Sequence, residues 1–260
     1  MVAKIIRRVK NKLNSLRFAP KVVVAREDNL KFLGTPYGGW HFRDTPDLHG
    51  STIISAGLGE DGSFDVEFAK TYGAKVIIVD PTPRAIEHFE LIQRRIGLAA
   101  STVYVSGGRQ PVDAYPLDGI SNEQLVLIDR ALWSEKKTLK FYRPSNPKHV
   151  SHSVVNFQNN YSEDTPYIEV NSITIQEITE LYKIDKLEIL KLDIEGAEIS
   201  VLQNMMSTNL RPNQLLIEFD ELIKPSKISR NNYYEIDNIL RKNHYKCIDF
   251  DGKSNFLYVM

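Results

Sequence analysis

An α/β fold on a mostly parallel sheet is predicted from three observations. Short, β-branched apolar runs alternate with segments of helical periodicity between residues 52 and 128. Two further apolar runs, Leu187–Leu192 and Gln214–Phe219, each end in carboxylates. The chain closes on two strand patterns around the turn Asp251-Gly252, the mark of a terminal hairpin. Alternating strand and helix signals argue for parallel strands joined by helical crossovers.

The elements follow in order. Residues 2–17 place Val2, Ile5, Ile6, Val9, Leu13 and Leu16 on one helical face, with basic residues on the other and Pro20 as a stop. Such a helix lies on an anionic membrane surface, docks on a partner or packs on its own domain; periodicity does not choose. Residues 34–50, rich in Gly, Pro and aromatics (Tyr37-Gly38-Gly39-Trp40-His41-Phe42), predict an irregular lead-in that covers a cofactor or plugs one end of the sheet. The core proper is expected from residue 50 onward, after an N-terminal extension over 1–49. Strand Thr52–Ala56, helix Ser63–Tyr72, strand Lys75–Val79, helix Pro83–Ile96 and strand Gln124–Ile128 come next, the second helix with proline near its start. Thr138–Tyr142 reads as a strand paired with the end of the preceding one. Residues 143–166 read as a long polar loop, a length usual for functional lids or disordered segments. Thr174 with Glu177 forms a capping box that opens a helix to about Ile184. Strand Leu187–Leu192, strand Gln214–Phe219, helix Asn231–Lys242 and strands Tyr245–Phe250 and Phe256–Val259 complete the chain.

Composition bounds what such a fold can do. The hydrophobic fraction of 42% over 260 residues supports a full core without staples. The single cysteine, Cys247, excludes an internal disulfide and a cysteine-based zinc site. No apolar run approaches the roughly 18 residues of a membrane span, and a secretory signal core is missing. A cytoplasmic protein is expected, membrane-associated where the basic helix binds lipid. Net charge is zero, yet residues 1–21 hold seven cations and no acid. A neutral whole with a basic head does not suggest nucleic-acid binding; it gives the head its own task, with peripheral membrane contact as one reading.

Two motifs carry chemistry. Gly57-Leu58-Gly59-Glu60-Asp61-Gly62 follows a strand and opens a helix, and Gly57, Gly59 and Gly62 have dinucleotide-fingerprint spacing. Asp80 ends the next strand, where an acid takes a ribose diol. A dinucleotide, however, brings a pyrophosphate, which wants bare N–H groups and no nearby acids. Glu60 and Asp61 oppose it: like charges at ~4 Å and an effective dielectric near 20 cost about 4 kcal/mol. S-adenosylmethionine carries an ammonium and a sulfonium there and no phosphate, so the acids favour it. The plain alternative is a tight turn that needs glycine dihedrals alone. The second motif, Leu190-Lys191-Leu192-Asp193-Ile194-Glu195-Gly196-Ala197-Glu198, delivers carboxylates to the rim where open α/β sheets bind ligands.

On Ser55-Ala56-Gly57-Leu58-Gly59-Glu60-Asp61-Gly62-Ser63-Phe64-Asp65, Val79-Asp80-Pro81-Thr82-Pro83 and Lys191–Glu198, the chain resembles the FkbM-type methyltransferases, from about residue 50 to the end. The resemblance implies a Rossmann-like class I methyltransferase sheet of seven strands, mostly parallel with the last antiparallel, helices on both faces, and S-adenosylmethionine-dependent O-methylation. By it Gly57 and Gly59 bracket the methionine part of the cofactor, Asp80 holds the ribose, Ala131 and Leu132 lie near the adenine, and Asp193 faces the methyl and the acceptor. Methyltransferases commonly carry an acid at the position of Ser55, so Glu60 or Asp61 becomes the candidate contact for the ammonium.

Methyl transfer to a hydroxyl is an in-line displacement, mostly a matter of positioning, and the alcohol must also lose a proton. Asp193 and Glu195 are candidate bases; alternation along an extended strand end would turn both to one cleft. Glu198 falls in the first turn of the next helix, where it stabilises the N-terminus. Asp193 with Glu218 or Asp220 could instead hold a divalent ion such as Mg²⁺; the other reading leaves Glu218 and Asp220 capping the sheet edge. His149 and His152 in the polar loop are further candidate bases, and Arg143 and Lys148 either bind an anionic acceptor or are solvated. The expected acceptor is a hydroxyl of a sugar, polysaccharide or lipid-linked glycan. A nicotinamide-dependent oxidoreductase and a non-catalytic cofactor-binding module are the rival readings. Oligomeric state is not legible.

Overall fold

The computed structural model describes residues 17–142 and 165–260. The amphipathic pattern over 2–17 therefore lies almost wholly outside the described residues, as do Arg143, Lys148, His149 and His152. The first structured element is a hairpin, β1 (Leu30–Leu33) with β2 (Trp40–Arg43). It corrects the irregular lead-in: Trp40 and Phe42, on one face of β2, are buried in the core, while His41 between them is exposed. The Gln214 amide fastens β2 to the main sheet, accepting from Arg43 N at 2.8 Å and donating to Arg43 O at 2.8 Å.

β3 (Thr52–Ala56), α1 (Ser63–Tyr72), β4 (Lys75–Val79), α2 (Pro83–Gln93) and β5 (Leu125–Ile128) form the expected crossover series. Gly73 at φ +59° closes α1 in the left-handed region, and proline begins α2. After β6 (Ala131–Leu132), β7 (Thr138–Tyr142) and β8 (Tyr167–Ile173) make a small separate sheet in the order β6-β8-β7. β7 pairs antiparallel with β8, not with the strand before it as the sequence suggested.

α3 (Ile175–Leu181) starts at the expected capping box: Thr174 Oγ1 accepts from Glu177 N, and Glu177 returns the bond to Thr174 N. β9 (Ile189–Leu192), α4 (Glu198–Ser207), β10 (Gln214–Glu218), α5 (Lys227–Lys242), β11 (Lys246–Phe250) and β12 (Asn255–Val259) follow.

Among the described residues the main sheet has seven strands in the order β11-β12-β10-β9-β3-β4-β5. β3, β4, β5, β9 and β10 run parallel; β12 runs antiparallel between β10 and β11. Its insertion depends on the Asp251-Gly252 turn, where Asp251 Oδ1 accepts from the amides of Lys253, Ser254 and Asn255 and Gly252 takes φ +83°.

Strand alternation splits the core into two layers. Ile54, Ala56, Ile77, Val79, Leu190 and Leu192 face α3, α4 and α5. Ile53, Val76, Ile78 and Ile189 face α1 and α2, with Phe64, Phe68, Phe89 and Ile92 packed on them. By the same alternation Ser55 and Lys191 fall on the α1 side, so this sheet face buries a hydroxyl and an ammonium among hydrocarbons. No helix among the described residues is long and apolar enough to cross a membrane.

Candidate active site

The parallel strands deliver their C-terminal ends to one rim, so Gly57, Asp80, Asp193 and Glu218 arrive as neighbours. β3 passes into the glycine turn at Gly57, whose φ is +89° and where any Cβ would overlap the Asp193 carbonyl oxygen. Close approach to the neighbouring strand end therefore requires glycine here. Gly59, at φ +56°, has no atom within 4 Å of a hypothetical Cβ, leaving its surface open to a ligand.

The amides of this turn are committed within the protein. Gly57 N donates to Val79 O at 3.0 Å and Asp61 N to Leu58 O at 3.3 Å. Leu58 N and Gly59 N both donate to Asp80 Oδ2 at 3.0 Å. Gly62 N donates to the Tyr115 hydroxyl at 3.0 Å, and Ser63 N donates to Asp61 Oδ1 at 3.1 Å. Tyr115 rests in turn on His88 Nε2 at 2.8 Å, and burial chiefly lowers His88 to about 4, so the ring is neutral. The Gly62 and Ser63 amides at the start of α1 are thus taken by the chain's own oxygen atoms.

Asp80 is more than a candidate ribose contact. Its Oδ1 also accepts from Thr82 N at 2.9 Å and Thr82 Oγ1 at 2.7 Å, giving the carboxylate four donors. It ties β4 to the glycine turn. Glu60 and Asp61, expected beside a cofactor ammonium, both have partners within the protein, but only those of Glu60 are cations. Glu60 is ion-paired with Arg84 at 2.6 Å and Arg109 at 3.3 Å, which neutralise it. Asp61 accepts from Thr35 Oγ1 at 2.6 Å and more weakly from Gln110 Nε2 at 3.3 Å. The field argument built on both acids is corrected to Asp61 and the carboxylates across the cleft. Ala131 and Leu132 are buried, Ala131 among Leu139, Phe141 and Val170, and Leu132 in the main core.

Across the cleft, β9 ends at Leu192 and the chain turns at once. Residues 194–196 form a bend and turn, so strand alternation does not orient Asp193 and Glu195 as expected. Glu195 sits at φ +54° and Gly196 at φ +96°. A non-glycine residue there costs about 1–2 kcal/mol, a strain held by neighbouring contacts. Glu198, buried in the first turn of α4, supplies them: one oxygen accepts from Ile194 N at 3.0 Å and Gly196 N at 3.2 Å. Burial pushes the Glu198 carboxyl well up, against these bonds. Its role thus extends from the helix end to the shape of the acidic turn.

Glu218, at the end of β10, is pushed up to about 9 by burial first and then by the charge of Asp193, to which it hydrogen-bonds. Its raised carboxyl holds its proton to higher pH than a free one, and Ser254 Oγ donates to its Oε1 at 3.0 Å. Asp220 is buried and adds to the field on Glu198. The expected metal set of Asp193, Glu218 and Asp220 is not assembled: among the described residues no three His, Cys, Asp or Glu side chains are placed to hold an ion.

Sequence reasoning passed over Lys191. Its ammonium is 3% exposed, donates to Gly57 O at 2.7 Å, and lies 3.9 Å from Asp193 Oδ2 and 5.5 Å from the Trp40 ring centre. Its charge also lowers Asp65, a fully buried carboxyl of α1 that burial nonetheless raises to about 6. A buried charge persists only when paired; here Asp193 lies 3.9 Å away, the Gly57 carbonyl accepts from it, and Asp65 adds a longer-range attraction. The signal was present as a lone cation in the apolar run Leu190-Lys191-Leu192.

The C-terminal rim of an open α/β sheet carries a glycine turn at its centre and a carboxylate pair beside it, an arrangement suited to a nucleoside cofactor. The Methyltransferase FkbM domain matches residues 52–247, and the chain belongs to that family. Among curated proteins, none matches the chain.

Proposed function

We propose that this methyltransferase uses S-adenosylmethionine to methylate a hydroxyl of a sugar, polysaccharide or lipid-linked glycan. The observation that carries the cofactor reading is the commitment of the turn amides at 57–59 and 61–63 to protein acceptors. A pyrophosphate draws its affinity from such amides; a phosphate-free donor needs only the open surface at Gly59 and negative charge opposite. When bound, S-adenosylmethionine supplies the electrophilic methyl group.

The chain's residues do the rest. Asp80 fixes the turn, and the Thr82 hydroxyl is the one of its four donors free to rotate, so a ribose hydroxyl can take its place on Oδ1. The exposed neighbours Asp129 and Arg130, rather than the buried Ala131 and Leu132, are what the end of β5 offers an adenine. Asp193 is the base: its carboxylate is one-third exposed toward the cleft, while Glu218 and the Lys191 ammonium orient it from behind. A carboxylate in hydrogen-bond reach takes the hydroxyl proton as the new C–O bond forms. Glu195 shares the cleft as a second acid toward the acceptor. His149 and His152 remain candidate bases by sequence. The basic residues of the first 21 positions suit an acceptor held at an anionic membrane surface.

The nicotinamide reading is disfavoured by position as well. Tyr182 and Lys186 have the spacing of a dehydrogenase Tyr-x-x-x-Lys pair, but they precede β9 and so lie toward the N-terminal ends of the strands, away from the glycine turn, where Lys186 binds Asp47 at 2.8 Å and Glu188 at 2.7 Å.

Radiolabelled methyl transfer to a panel of glycans and lipid-linked glycans tests the reading. Base-labile (ester) label would place the methyl on a carboxylate and contradict hydroxyl methylation. Base-stable label on a sugar oxygen supports it. With the accepted substrate, Asp193→Asn lowers kcat about 10²–10⁴-fold while cofactor affinity changes little; an active D193N variant removes Asp193 from the role of base.

A further inference from the structure

The loop Gly34–Gly39 between β1 and β2 is tightly built around a side chain that the fold itself does not use. Thr35 is its hub: Thr35 N donates to Ser63 Oγ at 2.9 Å, its hydroxyl donates to Asp61 at 2.6 Å, and the same oxygen accepts from Tyr37 N at 3.2 Å and Gly38 N at 3.0 Å. Gly34 N donates to Glu67 Oε2 at 2.8 Å. Three glycines make the turn possible: a Cβ at Gly34 would meet Phe64 N at 2.9 Å, one at Gly38 would meet Asp61 Cγ at 2.7 Å, and one at Gly39 would meet Leu33 O at 2.6 Å. The loop is thereby clamped to the first turn of α1, directly over the glycine turn.

What it presents is Tyr37, 71% exposed. Its ring lies along the backbone of Gly108, where any Cβ would overlap Cε1. The neighbouring residues Arg109 and Gln110 hold Glu60 and Asp61, so this second loop is fixed to the same turn. Burial on one face, then the charges of Asp193, Glu195, Glu218 and Asp61, raise the Tyr37 hydroxyl above the usual phenol range. Those acids come from both sides of the cleft, so the hydroxyl lies within electrostatic reach of the acid motif while its loop packs on Asp61 of the glycine turn. Solvent exposure of a large aromatic on so constrained a loop contributes nothing to the core.

We propose that Tyr37 is a positioning residue that covers the methyl donor, its ring face set against the donor's sulfonium. The inference rests on the S-adenosylmethionine reading and deepens it. An aromatic face attracts a cation by its quadrupole, and this attraction vanishes when the sulfur is neutral.

The experiment is calorimetric titration of the wild-type chain, Tyr37→Ala and Tyr37→Phe with S-adenosylmethionine and with S-adenosylhomocysteine, whose thioether is uncharged. Thermal melting checks the fold, which an exposed side chain should leave intact. Tyr37→Ala is expected to weaken S-adenosylmethionine about five- to tenfold and S-adenosylhomocysteine less than twofold, with Tyr37→Phe close to wild type. Equal loss for both ligands, or none for either, overturns the role assigned to Tyr37 while leaving the cofactor reading in place. A wild-type chain that binds neither ligand overturns the cofactor reading and this inference with it.

Discussion

The ammonium of Lys191 touches both halves of the site: the Gly57 carbonyl on one side, the Asp193 carboxylate on the other, with Asp65 at longer range. Its removal leaves Asp65 fully buried without its cation. Lys191→Met is therefore expected to cost about 3–5 kcal/mol of stability, despite the similar volume and apolar surroundings. Chemical denaturation checks this; a variant as stable as wild type would show that Asp65 simply takes up a proton. Glu195 illustrates the other residue-scale economy, a strained left-handed position held by two bonds from a buried carboxyl one helical turn away.

The elements explain what the sequence made legible. The central strands stood out because both faces of each are buried, so apolar runs continue without interruption. The helices stood out where a cap marks them, as at Thr174 with Glu177. The hairpin β1–β2 was hidden because Gly34, Pro36, Gly38 and Gly39 dominate its sequence, and those residues signal a loop whether or not strands flank it. β7 found its partner beyond residues 143–164, a pairing that no local turn chemistry announces. In the site, Gly57, Asp80 and Asp193 were readable from motif and strand context. The neutralisation of Glu60 by Arg84 and Arg109 was not, since those partners lie 24 and 49 positions away in the chain. The local geometry of Asp193 and Glu195 was not legible because a strand rule was carried past Leu192, where the strand has ended.

β10 ends in a group that makes stability depend on pH. The Glu218 carboxyl is raised from 4.5 to about 9, so between those values the folded chain holds a proton that the unfolded chain has released. Its stabilising contribution is complete below about 4.5 and is lost as pH rises through 9. Glu218→Gln keeps the neutral form at every pH. Its melting temperature relative to wild type should therefore climb steadily between pH 6 and pH 9. A constant difference across that range would show that Glu218 is already ionised at neutral pH.

At the scale of the whole molecule, the sheet order brings β3 and β9 side by side, and with them the glycine turn and the acid motif, 136 positions apart at Gly57 and Asp193. Two helices on one face and three on the other, among the described residues, leave the strands' C-terminal rim as the open surface. The small sheet β6-β8-β7 stands beside that rim, at the end of β5. Everything proposed for this surface depends on whether the rim receives a positively charged donor or a phosphate. Calorimetric titration of the wild-type chain with S-adenosylmethionine, NAD⁺ and NADP⁺ decides it. Saturable, stoichiometric binding of S-adenosylmethionine with no heat from either dinucleotide is the expected result. Binding of NAD⁺ or NADP⁺ that S-adenosylmethionine cannot displace would contradict it.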